Sequence, residues 1–357
     1  MTIADERTVA GSKAKTPGSG LGRYVLVRFL LIIPTVFILV TLVFCLMRVV
    51  GDPISASVGG RLTPAQLEER LAAAGYDRPI LVQYVDYLRQ IFTGDFGRTL
   101  TDNRAISEIL LDYGTATLEL VLFALVVALI VGIPLGMLAA YLRDRWPDAV
   151  LRVFAILCYA TPVFFAGLLL KLVFSVWLGW LPLSGRASPE VQLVLGRITG
   201  STGINIVDAL RTGRWDLISD VLAHAALPAL ALGLLTAGVF LRLVRTNLIG
   251  TLGRDYVDAA RSRGVAESRL VRKHAYKPAL IPIITVMGMQ IAMMLGGAVL
   301  TETTFEWRGL GFELTQYLGA RDFVAVQGIV ALLAVIVAVT NFLVDVVAAL
   351  IDPRVRY

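Results

Sequence analysis

Six apolar runs without a charged side chain divide the sequence: Phe29 to Met47, Leu120 to Tyr141, Val153 to Leu170, Ala225 to Leu241, Pro278 to Thr301 and Phe323 to Val344. They hold 19, 22, 18, 17, 24 and 22 residues in turn. A helix needs about 20 mostly apolar residues to cross the hydrocarbon core of a bilayer. A spanning strand would show alternating segments of about 10 residues instead. The runs predict an all-α, polytopic membrane protein with six transmembrane helices. The fourth run is short, but His224 before it and Arg242 after it can both lie at interfaces. Composition points the same way. Of 357 residues, 57% are hydrophobic and 17% charged, against about 45–50% and about 25% in soluble domains. A disordered chain, a disulfide scaffold and an ordinary soluble enzyme are excluded.

The basic residues set the orientation, because cytoplasmic loops collect Lys and Arg. The segment Arg242 to Lys277 carries nine Lys or Arg against three acids, and Arg143 to Arg152 carries three Arg against two Asp. Gly51 to Gly114 has six Arg against nine acids, and Glu302 to Asp322 has two against four. With six spans, both termini are expected in the cytoplasm of a cell-membrane protein. The net charge of +6 then belongs to cytoplasmic loops, not to a nucleic-acid surface. The expected organisation is a disordered cytoplasmic tail (1–22), then a first span with an outer segment (23–115). A five-helix domain (116–350) with a cytoplasmic loop at 245–278 follows, and a short tail (351–357) ends the chain. The lipid bilayer is a partner by composition alone.

Candidate chemistry is sparse. Cys45 and Cys158 sit inside apolar runs, and His224 and His274 have no acidic or Cys cluster around them, so neither a disulfide nor a metal site is expected. The pattern G-x-x-x-x-G-K-[ST] is absent, so no phosphate-cradling loop is expected here. Charges at mid-bilayer are costly and usually functional. The three acids and bases nearest the spans, Glu119, Lys171 and Asp345, are read as interface anchors. Uphill transport by such a chain would draw its energy from a separate subunit. It is not expected to be an enzyme, nor to hold a cofactor.

The third cytoplasmic segment is the most informative. Asp258-Ala259-Ala260-Arg261 with Gly264 four residues after Ala260 gives a short helix of low profile, closed by a residue that tolerates a left-handed turn. Asp255-Tyr256-Val257, Ala260-Arg261 and Gly264, followed by His274-Ala275 and Ala279-Leu280-Ile281-Pro282, resemble the coupling loop of ABC-importer permeases in the dipeptide, oligopeptide and nickel branch. Gly51-Asp52-Pro53, Gly94-Asp95-Phe96-Gly97, Gly179 to Gly185, Thr301 to Phe305 with Gly309-Leu310-Gly311, Asp322 to Gly328 and Asp352-Pro353-Arg354 resemble further motifs of that branch, in order. Asp258 replaces the usual Glu, Lys277 stands where the general pattern has Pro with Pro278 one residue late, and Arg308 replaces a Pro.

The resemblance implies a type I importer permease fold and a path for short peptides, with nickel or another small solute as the alternative. A secondary transporter working alone is the rival from another class. The resemblance also implies a second, similar permease, two cytoplasmic ATPase subunits that hold the ATP and magnesium, and a binding protein outside. Asp258, Ala259, Ala260, Arg261, Gly264 and Pro278 would then form the ATPase-coupling surface.

Two outer segments have helical signals. Thr63-Pro64 suits a helix start. Ile80, Leu81, Tyr84, Val85, Leu88, Ile91 and Phe92 recur at helical spacing, and a further amphipathic turn is expected near Ile206 to Leu210. In the fifth run, adaptable methionines and close-packing glycines make Met287, Gln290, Met293, Met294 and Gly297 the gate candidates.

Overall fold

The structure, a computed structural model, describes residues 19–50, 63, 65, 66, 68, 72 and 77–351. In chain order its helices are α1 (Ser19–Val50), α2 (Ile80–Phe92), α3 (Ile106–Tyr141), α4 (Trp146–Ala160) and α5 (Val163–Leu170). A π-helical turn, Lys171–Trp177, continues α5, and α6 (Pro189–Gly196) and α7 (Asn205–Thr212) follow. Next come α8 (Trp215–Leu252) and α9 (Asp255–Ser262). Then α10 (Glu267–Arg269) passes through a π-helical stretch, Leu270–Ala275, into α11 (Tyr276–Phe305). The last two are α12 (Leu310–Gly319) and α13 (Phe323–Ile351).

Five of the six apolar runs lie in single helices: α1, α3, α8, α11 and α13. The third does not. Its two halves, α4 and the helix starting at Val163, meet at a bend of 106°. Proline disfavours the α conformation in the residue before it, and Thr161, before Pro162, is extended at φ −80°, ψ 125°. Among the described residues six segments are therefore long and apolar enough to span when the bent pair counts as one.

The helices also outrun the apolar signal. α3 and α8 have 36 and 38 residues, roughly 54 and 57 Å at 1.5 Å per residue, against a hydrocarbon core of about 30 Å. Both must project beyond the bilayer. The boundary drawn at 115/116 falls inside α3, and α1 begins within the segment read as a tail. Gly51-Asp52-Pro53 and Asp352-Pro353-Arg354 lie outside the described residues. Thr63 and Gln66 exchange hydrogen bonds, Gln66 N–H to Thr63 Oγ1 at 3.4 Å and Thr63 N–H to Gln66 Oε1 at 3.1 Å, the reciprocal pattern of a helix start.

The core is the pair α3 and α8, which run side by side in the same direction. A Cβ on Gly233 would lie 2.6 Å from the Ala124 carbonyl, one on Gly132 2.8 Å from that of Ala237, and one on Gly136 2.7 Å from that of Leu241. Three glycines thus bring the two backbones into contact, the usual device where no aqueous phase drives helices together. Ala116, Leu120, Ala124 and Ala128 of α3 share the buried centre with Leu232, Phe240 and Val244 of α8, Met294 and Ala298 of α11, and Trp307. α1 lies on α13, with Phe29 edge-on to Phe342 and Arg28 paired to Asp345 at 3.2 Å. The amphipathic segments expected at Ile80 to Phe92 and near Ile206 to Leu210 appear as α2 and α7; α2 rests on α1 through Tyr84 and Tyr87 against Phe44.

Gly233→Val should destabilise the membrane domain by at least ~1–3 kcal/mol, the usual cost of overpacking a tight core. Gly250→Ala, in the same helix with open space around it, should be neutral or slightly stabilising. Thermal unfolding of the two purified variants in one detergent checks the contrast.

Candidate functional site

The coupling-loop residues form a small, self-contained unit at the end of α8. α8 stops at Leu252, Gly253 and Arg254 turn the chain, and α9 starts at Asp255. Acidic side chains in the first turn of a helix oppose its positive end, and Asp255 and Asp258 both lie there. Val257 is fully buried and seats α9 on the bundle. Asp258, Ala259, Arg261 and Gly264 face outward, and Ala260 is half-buried. Gly264 has φ +77°. Its N–H donates to the Arg261 carbonyl at 2.9 Å, and Val265 N–H donates to that of Ala260 at 3.3 Å. These two bonds are the Schellman closure of a helix, which favours glycine at this position. Arg261 then bridges across the turn. It pairs with Asp258 on its own helix and, through Nε, with Glu267 of α10 at 2.6 Å. Alanine pairs leave a flat surface, and this exposed clamp links α9 to the next helix. Pro278 is exposed in the first turn of α11, just after the π-helical stretch.

Behind this unit lies an ion pair that sequence reasoning missed. Asp148, at the start of α4, has a fully buried side chain. Its Oδ1 accepts Arg245 Nε at 2.6 Å and its Oδ2 accepts Arg245 Nη2 at 2.7 Å. Asp144 N–H donates to the same carboxylate at 3.2 Å, and Arg152 approaches it at 3.7 Å.

The opposite end of the bundle holds a larger polar network. Glu119, read from sequence as an interface anchor, is 1% exposed and lies within α3. Its Oε2 accepts Arg186 Nη2 at 2.5 Å, and its Oε1 accepts Ile206 N–H at 2.7 Å, in the first turn of α7. The Arg186 guanidinium stacks over Trp307, 5.7 Å from the ring centroid, and Trp307 Nε1–H donates to the Ala116 carbonyl at 2.8 Å. Glu302, assigned from sequence to an outer loop, is in the last turn of α11 and fully buried. Its Oε2 accepts Phe312 N–H at 2.9 Å, which caps α12. A Cβ on Gly309 would lie 2.4 Å from that carboxylate, so the Gly-Leu-Gly motif makes room for Glu302.

Asp322 N-caps α13 by accepting Ala325 N–H at 3.0 Å, and it also accepts the N–H groups of Leu100 and Thr101 at 2.6 and 2.8 Å. Lys171 is no simple anchor either: its Nζ donates to the Thr304 carbonyl at 2.8 Å and lies over Phe305. Asp208 of α7 is buried, which works against its charge. Hydrogen bonds from the Thr202 N–H, the Ser201 and Thr202 hydroxyls and the Gly203 N–H outweigh burial and hold its carboxyl below the usual range.

The gate candidates on α11 separate. Met287 and Met294 pack into the α3–α8 core, with Met294 buried. Gln290 and Gly297 are half-buried, and a Cβ on Gly297 would lie 3.3 Å from Leu232. Met293 is exposed, and with Met289 and Ala292 it lines a groove shared with α1 and α13. The five residues therefore do not form one surface within this chain.

The chain matches two family models end to end. Residues 132–357 match the binding-protein-dependent transport system inner membrane component, and residues 21–131 match the N-terminal part of the corresponding membrane component. It is 33% identical to the dipeptide transport system permease protein DppB of Alkalihalophilus pseudofirmus, over 94% of this chain and 99% of that one. It is 37% identical to the di/tripeptide transport system permease protein DppB of Pseudomonas aeruginosa, over 92% and 96%. With the glutathione transport system permease protein GsiC of Salmonella choleraesuis it shares 33%, over 94% and 99%.

Glu119→Ala leaves Arg186 buried without its carboxylate and should destabilise the protein by about 3–5 kcal/mol. Adding Arg186→Met should recover most of that loss, since removing both members of a buried pair is often close to neutral. Thermal unfolding of the single and double variants tests the pair; a single variant as stable as the parent would refute it.

Proposed function

The chain belongs to the binding-protein-dependent transport system inner membrane component family, and we propose that it is one of two permease subunits of an ATP-driven importer of short peptides. The substrate class follows from the relatives. They are described as permeases for dipeptides, di- and tripeptides, and glutathione, itself a tripeptide. A second, similar permease would complete the path. Two ATPase subunits holding ATP and magnesium would dock on the side of α9, and a binding protein would deliver peptide at the opposite end, beside α6, α7 and α12. In this arrangement the N- and C-termini, α9 and Asp148 are cytoplasmic, as the basic loops require.

The observation that carries this reading is α9. It is a short helix presented at the end of a 38-residue spanning helix. Its Asp258, Ala259 and Arg261 point outward, and the turn after it is closed at Gly264 and bridged by the Arg261–Glu267 pair. Such a unit gives a partner's groove something to hold while transmitting force into α8. Met293 and Gln290, on the less covered side of α11, remain the residues of that helix best placed to meet peptide or the second permease.

Gly264→Pro should abolish coupling. Proline fixes φ near −65° and has no N–H, whereas Gly264 sits at +77° and donates to Arg261. Uptake of a labelled dipeptide into proteoliposomes holding the assembled transporter should fall more than tenfold, and binding protein should no longer stimulate ATP hydrolysis. The amount of assembled complex should be unchanged. Normal uptake would sink the assignment of α9.

A further inference from the structure

α4 meets the bundle along one narrow face. Of its 15 residues only Asp148 and Ala155 are buried, and Val150, Val153, Ile156, Leu157 and Tyr159 are exposed. Ala155 meets α8 at Gly238, whose absent Cβ would lie 2.8 Å from the Ala155 carbonyl. On one side of that contact a cavity of about 370 Å³ opens between the two helices, lined by Ile156, Tyr159, Val239 and Arg242. Leu151 and Phe154 add partly buried apolar contacts beside Ala139 and Leu241, and at the coupling-loop end the Asp148–Arg245 pair adds a polar link to them. Two parallel charge-assisted bonds fix direction as well as distance.

The placement of the pair matters as much as its strength. Arg245 is two turns before the end of α8, and the coupling helix begins ten residues after it. Asp148 is at the head of α4, and the far end of α4 is the 106° break at Thr161–Pro162. Moving Arg245 sideways drags Asp148 with it, since a buried carboxylate cannot exchange its partner for water without a large penalty. The element free to change angle is the break, where Thr161 is already extended.

We propose that Asp148 and Arg245 are positioning residues for coupling: they join the base of α8 to α4 so that force on α9 turns the broken helix α4–α5 about Thr161–Pro162. This rests on the reading of α9 as the ATPase-docking helix. It makes the base of α8, α9 and α4 one moving body and leaves α5, held at Lys171 and against Phe305, with the opposite end of the bundle.

The test uses the assembled transporter in proteoliposomes. Asp148→Leu combined with Arg245→Met removes the link without leaving a buried charge, a change of the kind that usually preserves stability. The double variant should assemble in normal amount and keep its basal ATP hydrolysis within about twofold, while dipeptide uptake per ATP falls at least tenfold. Arg152→Gln, which touches Asp148 only from an exposed position, should behave as the parent. Spin labels at Val150 and Arg254, both exposed, should hold a constant separation through the ATP cycle in the parent and change separation in the double variant.

Parent-like uptake per ATP in the double variant would overturn the proposal, as would failure of that variant to assemble, which would make the pair a folding element. A constant label distance in the double variant would also overturn it. A parent complex that hydrolyses ATP without importing any short peptide would instead fail the substrate reading, and the label distances would still decide the role of the pair.

Discussion

A bilayer core offers no water to a backbone N–H or a carboxylate, so each must find the other. That constraint organises both ends of this bundle. Among the described residues five acidic side chains are buried: Glu119, Asp148, Asp208, Glu302 and Asp322. Every one accepts at least one backbone N–H, from Ile206, Asp144, Thr202, Phe312 and Ala325 respectively. Three of those donors lie in the first turn of a helix, where N–H groups have no intrahelical acceptor. Buried charge here is the means by which helix starts and tight turns are satisfied away from water. Three of the five, Glu119, Asp148 and Asp208, also pair with an arginine.

This changes the meaning of several motifs. The Glu302 to Gly311 stretch reads from sequence as part of an outer segment, but its geometry is that of a cap: the acid closes α12, and glycine leaves it room. Gly94 to Gly97 and Asp322 to Gly328 likewise meet each other. A Cβ on Gly328 would lie 2.4 Å from the Phe96 carbonyl, and Asp322 binds the loop at Leu100 and Thr101. These residues hold the end opposite α9 together. The residues that face outward at the other end, on α9, are the ones available to a partner.

The sequence made the spans legible because bilayer thickness imposes a length that apolar runs must meet. It made Gly264 legible because a helix closing into a left-handed turn has few alternatives to glycine. The break at Thr161–Pro162 was harder to read. Pro134, Pro228 and Pro282 lie inside continuous helices, so proline by itself does not announce an interruption. The buried acids were the least legible. Glu119 meets an arginine 67 residues away, Asp148 one 97 residues away, and Asp322 a loop more than 220 residues away. A rule that weighs each charge by its local hydropathy places all three at an interface, since nothing nearby in the chain names the partner. The gate candidates on α11 suffered the same way. Methionine and glycine mark adaptable, close-packing surfaces, but Met287 and Met294 use that property against α3 and α8.

The two ends of the bundle differ in how many elements each polar contact ties together. At the end opposite α9, Glu119 joins α3, the segment after α5 and α7, Glu302 joins α11 to α12, and Asp322 joins α13 to the loop before α3. Trp307 adds α3 to the same set. Displacing any one of those helices would break contacts in several others, at a cost set by buried polar groups left without partners. At the α9 end, the helix α4 is held by the Asp148–Arg245 pair and a narrow apolar contact around Leu151, Phe154 and Ala155, and α9 and α10 are linked by an exposed clamp. Exposed ion pairs contribute little to stability and reform readily. A force applied at α9 therefore passes through few contacts before it reaches the networked end, and the angle at Thr161–Pro162 lies where the two regimes join.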